Sequence, residues 1–117
     1  MRLKDEIAIV TGGGQGIGES ISRRFALEGA KVVIADINPD TGLIVAKSIN
    51  ENGGNAISIT TDVSDSKAVD KMVSETLDHF GKPTVLINNA GIAVFGPPLE
   101  ITDEDWKKCF SVLDLNY

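Results

Sequence analysis

The sequence predicts an α/β fold: a parallel sheet of about four strands, in the order 3-2-1-4, with helices on both faces. Three observations lead there. Short apolar runs alternate with stretches of helical periodicity along the chain, the first run breaks into a dense glycine loop that opens a helix, and the second run ends on an acid. Right-handed crossovers order the first three strands as 3-2-1, and the fourth returns to lie beside the first. A crevice then opens between strands one and four at their carboxyl ends.

Each element has a local cause. Glu6-Ile7-Ala8-Ile9-Val10 is a short apolar run that reads as a buried strand. It breaks into Thr11-Gly12-Gly13-Gly14-Gln15-Gly16-Ile17-Gly18, and Ile17, Ile21 and Phe25 recur at a spacing of four in the helix that follows. Lys31 to Ala35 is the second strand and Asp36 its tip. Asn38 as cap and Pro39 at the first helical position start the next helix. Leu43, Ala46 and Ile49 share one of its faces, and Asn52-Gly53-Gly54 ends it. Ala56 to Thr60 gives a third strand. Ser64 is the predicted cap of a longer helix, in which Ala68, Val69, Met72, Val73, Thr76, Leu77 and Phe80 recur at three and four before Gly81 closes it. Pro83 leads into the fourth strand, Thr84 to Ile87. Asn88-Asn89-Ala90-Gly91 follows, then a loop through Gly96-Pro97-Pro98 and a last helix capped by Thr102. No repeat or linker divides residues 1–117, which read as part of one domain.

Composition narrows the function classes. Seventeen acids against 11 Lys and Arg give a net charge of −6 without a basic cluster, which argues against nucleic acid or an anionic membrane as partner. No apolar run approaches the roughly 18 residues of a membrane span. Met1-Arg2-Leu3-Lys4 leads directly into the first strand, so no signal peptide is expected and the cytoplasm is the expected location. The lone cysteine, Cys109, reads as a packed helix residue, His79 as a surface residue suited to a helix C-terminus, and no metal site is expected.

The glycine loop and the acid carry the chemistry. A strand that feeds a glycine turn leaves unpaired N–H groups at the helix start, and these cradle a pyrophosphate. The loop departs from G-x-G-x-x-G, because Ile17 stands where its third glycine would be, and fits T-G-x-x-x-G-x-G instead. Asp36 follows Gly18 by 18 residues, close to the roughly 20 expected for an acid that accepts hydrogen bonds from a ribose diol. A carboxylate there repels a 2′-phosphate. With Gln15 in the loop and Ile37 after the acid, no arginine answers it, and NAD(H) is expected over NADP(H). Methyl-transfer enzymes also pair a glycine loop with an acid on the second strand; the loop spacing and the Asn88 to Gly91 step argue against them.

Thr11 to Gly18, Asp36, Asp62-Val63 and Asn88-Asn89-Ala90-Gly91, in this order and spacing, resemble the short-chain dehydrogenase/reductase family from about Lys4 to Val112. The resemblance implies a Rossmann-type domain and hydride transfer between a nicotinamide and a carbonyl or alcohol. It implies that Asp62 and Val63 lie along the adenine, with the Asp62 side chain reaching its amino group. Asn89, Ala90 and Gly91 would line the ribose and nicotinamide. The expected cofactor set is therefore Gly12, Gln15, Gly16, Ile17, Gly18, Asp36, Asp62, Val63, Asn89, Ala90 and Gly91.

The family's general acid is a tyrosine with a lysine one helical turn later, helped by a serine and an asparagine. The only tyrosine here is Tyr117, which cannot fill that role. The asparagine is expected about seven residues after Trp106, where Leu113 stands, with Asn116 three residues on. A frameshift, alternative splice or premature stop near residue 113 would explain both. The expectation is a truncated NAD-binding portion without turnover, acting on a small carbonyl or alcohol only in a full-length form. The alternative is a non-catalytic nucleotide-binding or protein-interaction product. Strand four would then be an unpaired parallel edge, and a marginally stable chain that self-associates or pairs with a partner through that edge is predicted.

Overall fold

The structure, a computed structural model, describes residues 2–88 and the backbone of 92–94. Strands β1 (Ile7–Thr11), β2 (Lys31–Asp36), β3 (Asn55–Thr60) and β4 (Val85–Asn88) alternate with helices α1 (Gly16–Leu27), α2 (Pro39–Glu51) and α3 (Ser66–His79). A short strand, β5 (Ile92–Val94), follows. The sheet order is β3-β2-β1-β4-β5, with the first four strands parallel, so the predicted 3-2-1-4 arrangement is observed.

The register explains why the inner strands are mostly apolar. Ile9 stands opposite Val33 on one side and Leu86 on the other, and Val10 likewise opposite Ile34 and Ile87. Successive side chains point to opposite faces, and both faces are covered, so β1, β2 and β4 are apolar through most of their length, whereas β3, at the sheet's edge, alternates as Ile57-Ser58-Ile59-Thr60. One face, with Ile9, Val33, Ala35, Ile59 and Leu86, packs against Val69, Met72 and Val73 of α3. The other, with Val10, Val32, Ile34, Ala56 and Ile87, packs against Val45, Ala46 and Ile49 of α2 and against Ile21 and Phe25 of α1.

Several local expectations change. Ile17 is 72% exposed and Leu43 62% exposed, so neither belongs to the core face of its helix. The buried positions of α2 are Gly42, Val45, Ala46 and Ile49. Asp65, not Ser64, caps α3, accepting from the Lys67 N–H at 3.0 Å. Asn88 ends β4 rather than beginning the turn after it. The largest correction concerns the fourth strand, which is not an open edge. Antiparallel β5 pairs with it, setting Leu86 opposite Val94, Ile87 opposite Ala93 and Asn88 opposite Ile92. Residues 92–94 were expected in a loop; their alternative as a strand satisfies backbone groups that β4 would otherwise leave unpaired.

Candidate functional site

The carboxyl ends of β1, β2 and β3 bring the predicted residues together. The Gly12 N–H donates to the Ala35 carbonyl at 2.8 Å, so the loop leaves β1 while still tied to β2. The chain enters α1 through Gly16, whose φ of +54° is a backbone conformation that a side chain disfavours. Gln15 is the N-cap residue, extended in backbone, and its side chain makes no capping bond. The other two helices differ. Asn38 accepts from the Asp40 and Thr41 N–H groups at 2.9 and 3.3 Å, and Asp65 caps α3. Of the three, α1 alone starts without a side-chain cap, and its first turn, Gly16-Ile17-Gly18, keeps donor groups for an anion.

Asp36 sits at the centre and is 7% exposed. Its Oδ2 accepts from the Gly14 N–H at 2.9 Å and its Oδ1 from the Asn38 N–H at 3.0 Å. The Thr61 N–H donates to the Asp36 carbonyl at 2.9 Å, which carries the next residues, Asp62 and Val63, alongside. Asp62 is exposed and its Oδ1 accepts from the Ser64 hydroxyl at 2.6 Å and the Ser64 N–H at 3.0 Å. These bonds, the hydroxyl's above all, hold the Asp62 carboxyl below the usual range. Val63 is partly buried against the α3 side of the core.

A cleft of about 270 Å³ runs between these groups, lined among others by Gly12, Asp36, Ile37, Thr61, Asp62 and Val63. Pockets for whole drug-sized ligands span about 300–1,000 Å³; this one suits one end of an extended molecule. It pairs a carboxylate acceptor with an aliphatic wall, the chemistry of a ribose and a flat heterocycle. A larger cavity of about 540 Å³, lined by Arg23, Ala26, Leu27, Ile49 and Asn52, lies beside the C-terminal ends of α1 and α2. The carbonyl ends of helices disfavour anions, so size alone does not make it the phosphate site.

Thr11 links this cleft to β4 by donating from its hydroxyl to Asn88 Oδ1 at 3.0 Å. The structure therefore brings Gly12, Gln15, Gly16, Ile17, Gly18, Asp36, Asp62 and Val63 to one end of the sheet. Asn89, Ala90 and Gly91 lie outside the described residues, as do Cys109, the helix predicted from Thr102, and Tyr117. Sequence reasoning missed Gly14 and Asn38 as holders of Asp36. The hydrogen bonds come from their backbones, and a residue's letter says nothing about its N–H.

The comparisons with known proteins agree with this geometry. The sequence model described as short chain dehydrogenase matches residues 6–114. The chain belongs to that family.

Among curated relatives, it is 41% identical over 112 residues to a meso-2,3-butanediol dehydrogenase of Serratia marcescens, covering 96% of this chain and 44% of that protein. It is 44% identical over 113 residues to an NADP-dependent (R)-specific alcohol dehydrogenase of Lentilactobacillus kefiri, covering 95% of this chain and 44% of that protein. A solved 7α-hydroxysteroid dehydrogenase, complexed with NADH and 7-oxo glycochenodeoxycholic acid, superposes with a TM-score of 0.73 at 36% identity. That superposition covers 74% of this chain and 34% of the other. The short-chain dehydrogenase chain thus spans less than half the length of the curated relatives it matches. Among the described residues no helix is long and apolar enough to cross a membrane.

Proposed function

We propose that residues 1–117 are the N-terminal, NAD(H)-binding portion of a single Rossmann-type domain in a short-chain dehydrogenase/reductase, with NAD preferred over NADP. The observation that carries this reading is Asp36, a buried carboxylate fixed at the tip of β2 and facing the cleft. The first-turn N–H groups of α1, at Gly16, Ile17 and Gly18, would hold the pyrophosphate beside Gly12 and Gln15. Asp36 would accept from the hydroxyls of the adenosine ribose, where its charge opposes a 2′-phosphate. Asp62 and Val63 would flank the adenine. Asn89, Ala90 and Gly91 would serve the second ribose and the nicotinamide.

The cofactor supplies the hydride acceptor or donor for a small carbonyl or alcohol. The protein's own contribution here is to orient that cofactor. In these 117 residues alone, binding occurs without turnover, because the family's tyrosine with a lysine one helical turn later is found nowhere within them. Relatives support both nicotinamide forms, one being named NADP-dependent and one solved with NADH; the preference for NAD rests on Asp36.

Titration of the purified chain with NADH and with NADPH, followed by fluorescence or heat, tests the reading. Saturable binding that favours NADH, is abolished by Gly16→Val and loses its preference in Asp36→Ala is the expected result. A folded chain that binds neither cofactor refutes it for these residues.

A further inference from the structure

Gly14 is one of the positions that the loop pattern leaves open, yet it is tightly placed. A β-carbon built there would lie 2.8 Å from Asp36 Oδ2, 2.8 Å from the Gly42 nitrogen and 2.9 Å from the Thr41 carbonyl carbon. All three distances are shorter than carbon tolerates, and two of the three partners are backbone of α2. Only glycine lets the loop approach this closely. The approach also brings the Gly14 N–H to 2.9 Å from Asp36 Oδ2, while the Asn38 N–H holds Oδ1 at 3.0 Å.

The two bonds fix the plane of the carboxylate. An ionised carboxylate has about four acceptor positions, two on each oxygen. One on each is taken by backbone, which leaves one on each for a pair of vicinal hydroxyls. A carboxylate free to rotate would offer the same acceptors in many orientations and would hold a diol less well. Its charge would also move away from where a 2′-phosphate would sit.

We infer that Gly14 is a specificity-determining position that sets nucleotide choice by positioning Asp36: its missing side chain and its N–H lock the carboxylate into the pose that accepts a ribose diol and repels a 2′-phosphate. The inference rests on the proposed NAD(H) reading and assigns its selectivity to a residue outside the loop's required glycines. Gly14 acts through Asp36 and is a positioning residue. A side chain at residue 14 meets both Asp36 Oδ2 and the α2 backbone, so the carboxylate swings or the loop parts from α2; either breaks the Gly14–Asp36 bond, weakening the diol's acceptors and relieving the repulsion together.

The test is the ratio of the NADPH to the NADH dissociation constant in the unaltered 117-residue chain, in Gly14→Ala, in Asp36→Ala and in the double variant. Gly14→Ala is expected to lower the ratio about tenfold, the scale of one lost hydrogen bond to a charged group. In the Asp36→Ala background the same substitution is expected to leave the ratio unchanged, since the group it positions is gone. A purely structural role for Gly14 would weaken both cofactors equally and leave the ratio intact; that result overturns the inference. An unaltered chain without preference overturns the proposed NAD(H) reading, and this inference with it. Should Gly14→Ala fail to fold, amide hydrogen exchange decides. Exchange at Gly14 and Asn38 that rises at least about tenfold more in Asp36→Ala than exchange at core strand amides such as Val33 supports the lock, and a rise no greater than theirs overturns it.

Discussion

Replacing Asp36 by Ala removes the acceptor of two backbone N–H groups at once, and this should cost stability before any ligand is added. Oδ2 and Oδ1 accept from Gly14 and Asn38 at 2.9 and 3.0 Å, and the residue is 7% exposed. Hydrogen bonds to charged groups contribute about 1.5–3 kcal/mol each, which sets an upper bound of about 3–6 kcal/mol for the pair. Asp36 borders the cleft, so water can reach the donors once the carboxylate is gone. That places the loss at or just under the bottom of that range, about 2–3 kcal/mol, a large share of a domain's usual 5–15 kcal/mol or so. The assay is urea unfolding of the ligand-free chain, followed by circular dichroism. With an m-value of about 1–3 kcal/mol/M, the midpoint should drop by roughly 0.7–3 M with little change in slope. Asp36→Asn should fall between the two, because its amide nitrogen cannot accept from either donor while its oxygen still can. An unchanged midpoint in Asp36→Ala would falsify the claim that the carboxylate organises the loop and α2 in the free protein.

Two further outcomes are expected. Met72 is fully buried between α3 and the sheet, so Met72→Ala should destabilise by about 2–5 kcal/mol in the same urea assay; a loss under about 1 kcal/mol would mean that this face is loosely packed. The Ser64 hydroxyl and N–H lower the Asp62 pKa, so Ser64→Ala should raise it toward the ordinary carboxylate value, read by carbon NMR of the side chain against pH. Because the folded-state pKa is depressed, the turn's contribution to stability is present above the ordinary carboxylate pKa and fades as pH falls through the folded value. Ser64→Ala should shrink that acid-side loss.

Much of this architecture was legible in the residues. The apolar runs of β1, β2 and β4 are doubly covered strands, and the order of β1 to β4 follows from crossover handedness. Asp36 announced itself by ending one of those runs. Less visible was anything that depends on which neighbour a residue meets. Leu43 looked like core because it falls at helical spacing with Ala46, but the buried face turns on Gly42, Val45, Ala46 and Ile49, and a glycine at a buried position sends no hydrophobic signal. Ser64 and Asp65 both have cap chemistry. The hydroxyl of Ser64 turns back to Asp62, leaving the cap to its neighbour. The Asp36 lock was hidden for the same reason, being made of backbone N–H groups from two loops 22 and two residues away. Strand β5 was missed because its pairing depends on a vacant edge on β4, which is a property of the sheet and not of the segment.

That last pairing sets the terms for traffic on the far side of β4. The strand carries a single outward row of donors and acceptors, and Leu86, Ile87 and Asn88 already face β5 across it. Any other strand seeking the same row, in either direction and from any source, enters a contest with a resident only three residues long. Two rivals of opposite polarity cannot share it, so every newcomer's gain begins with an eviction.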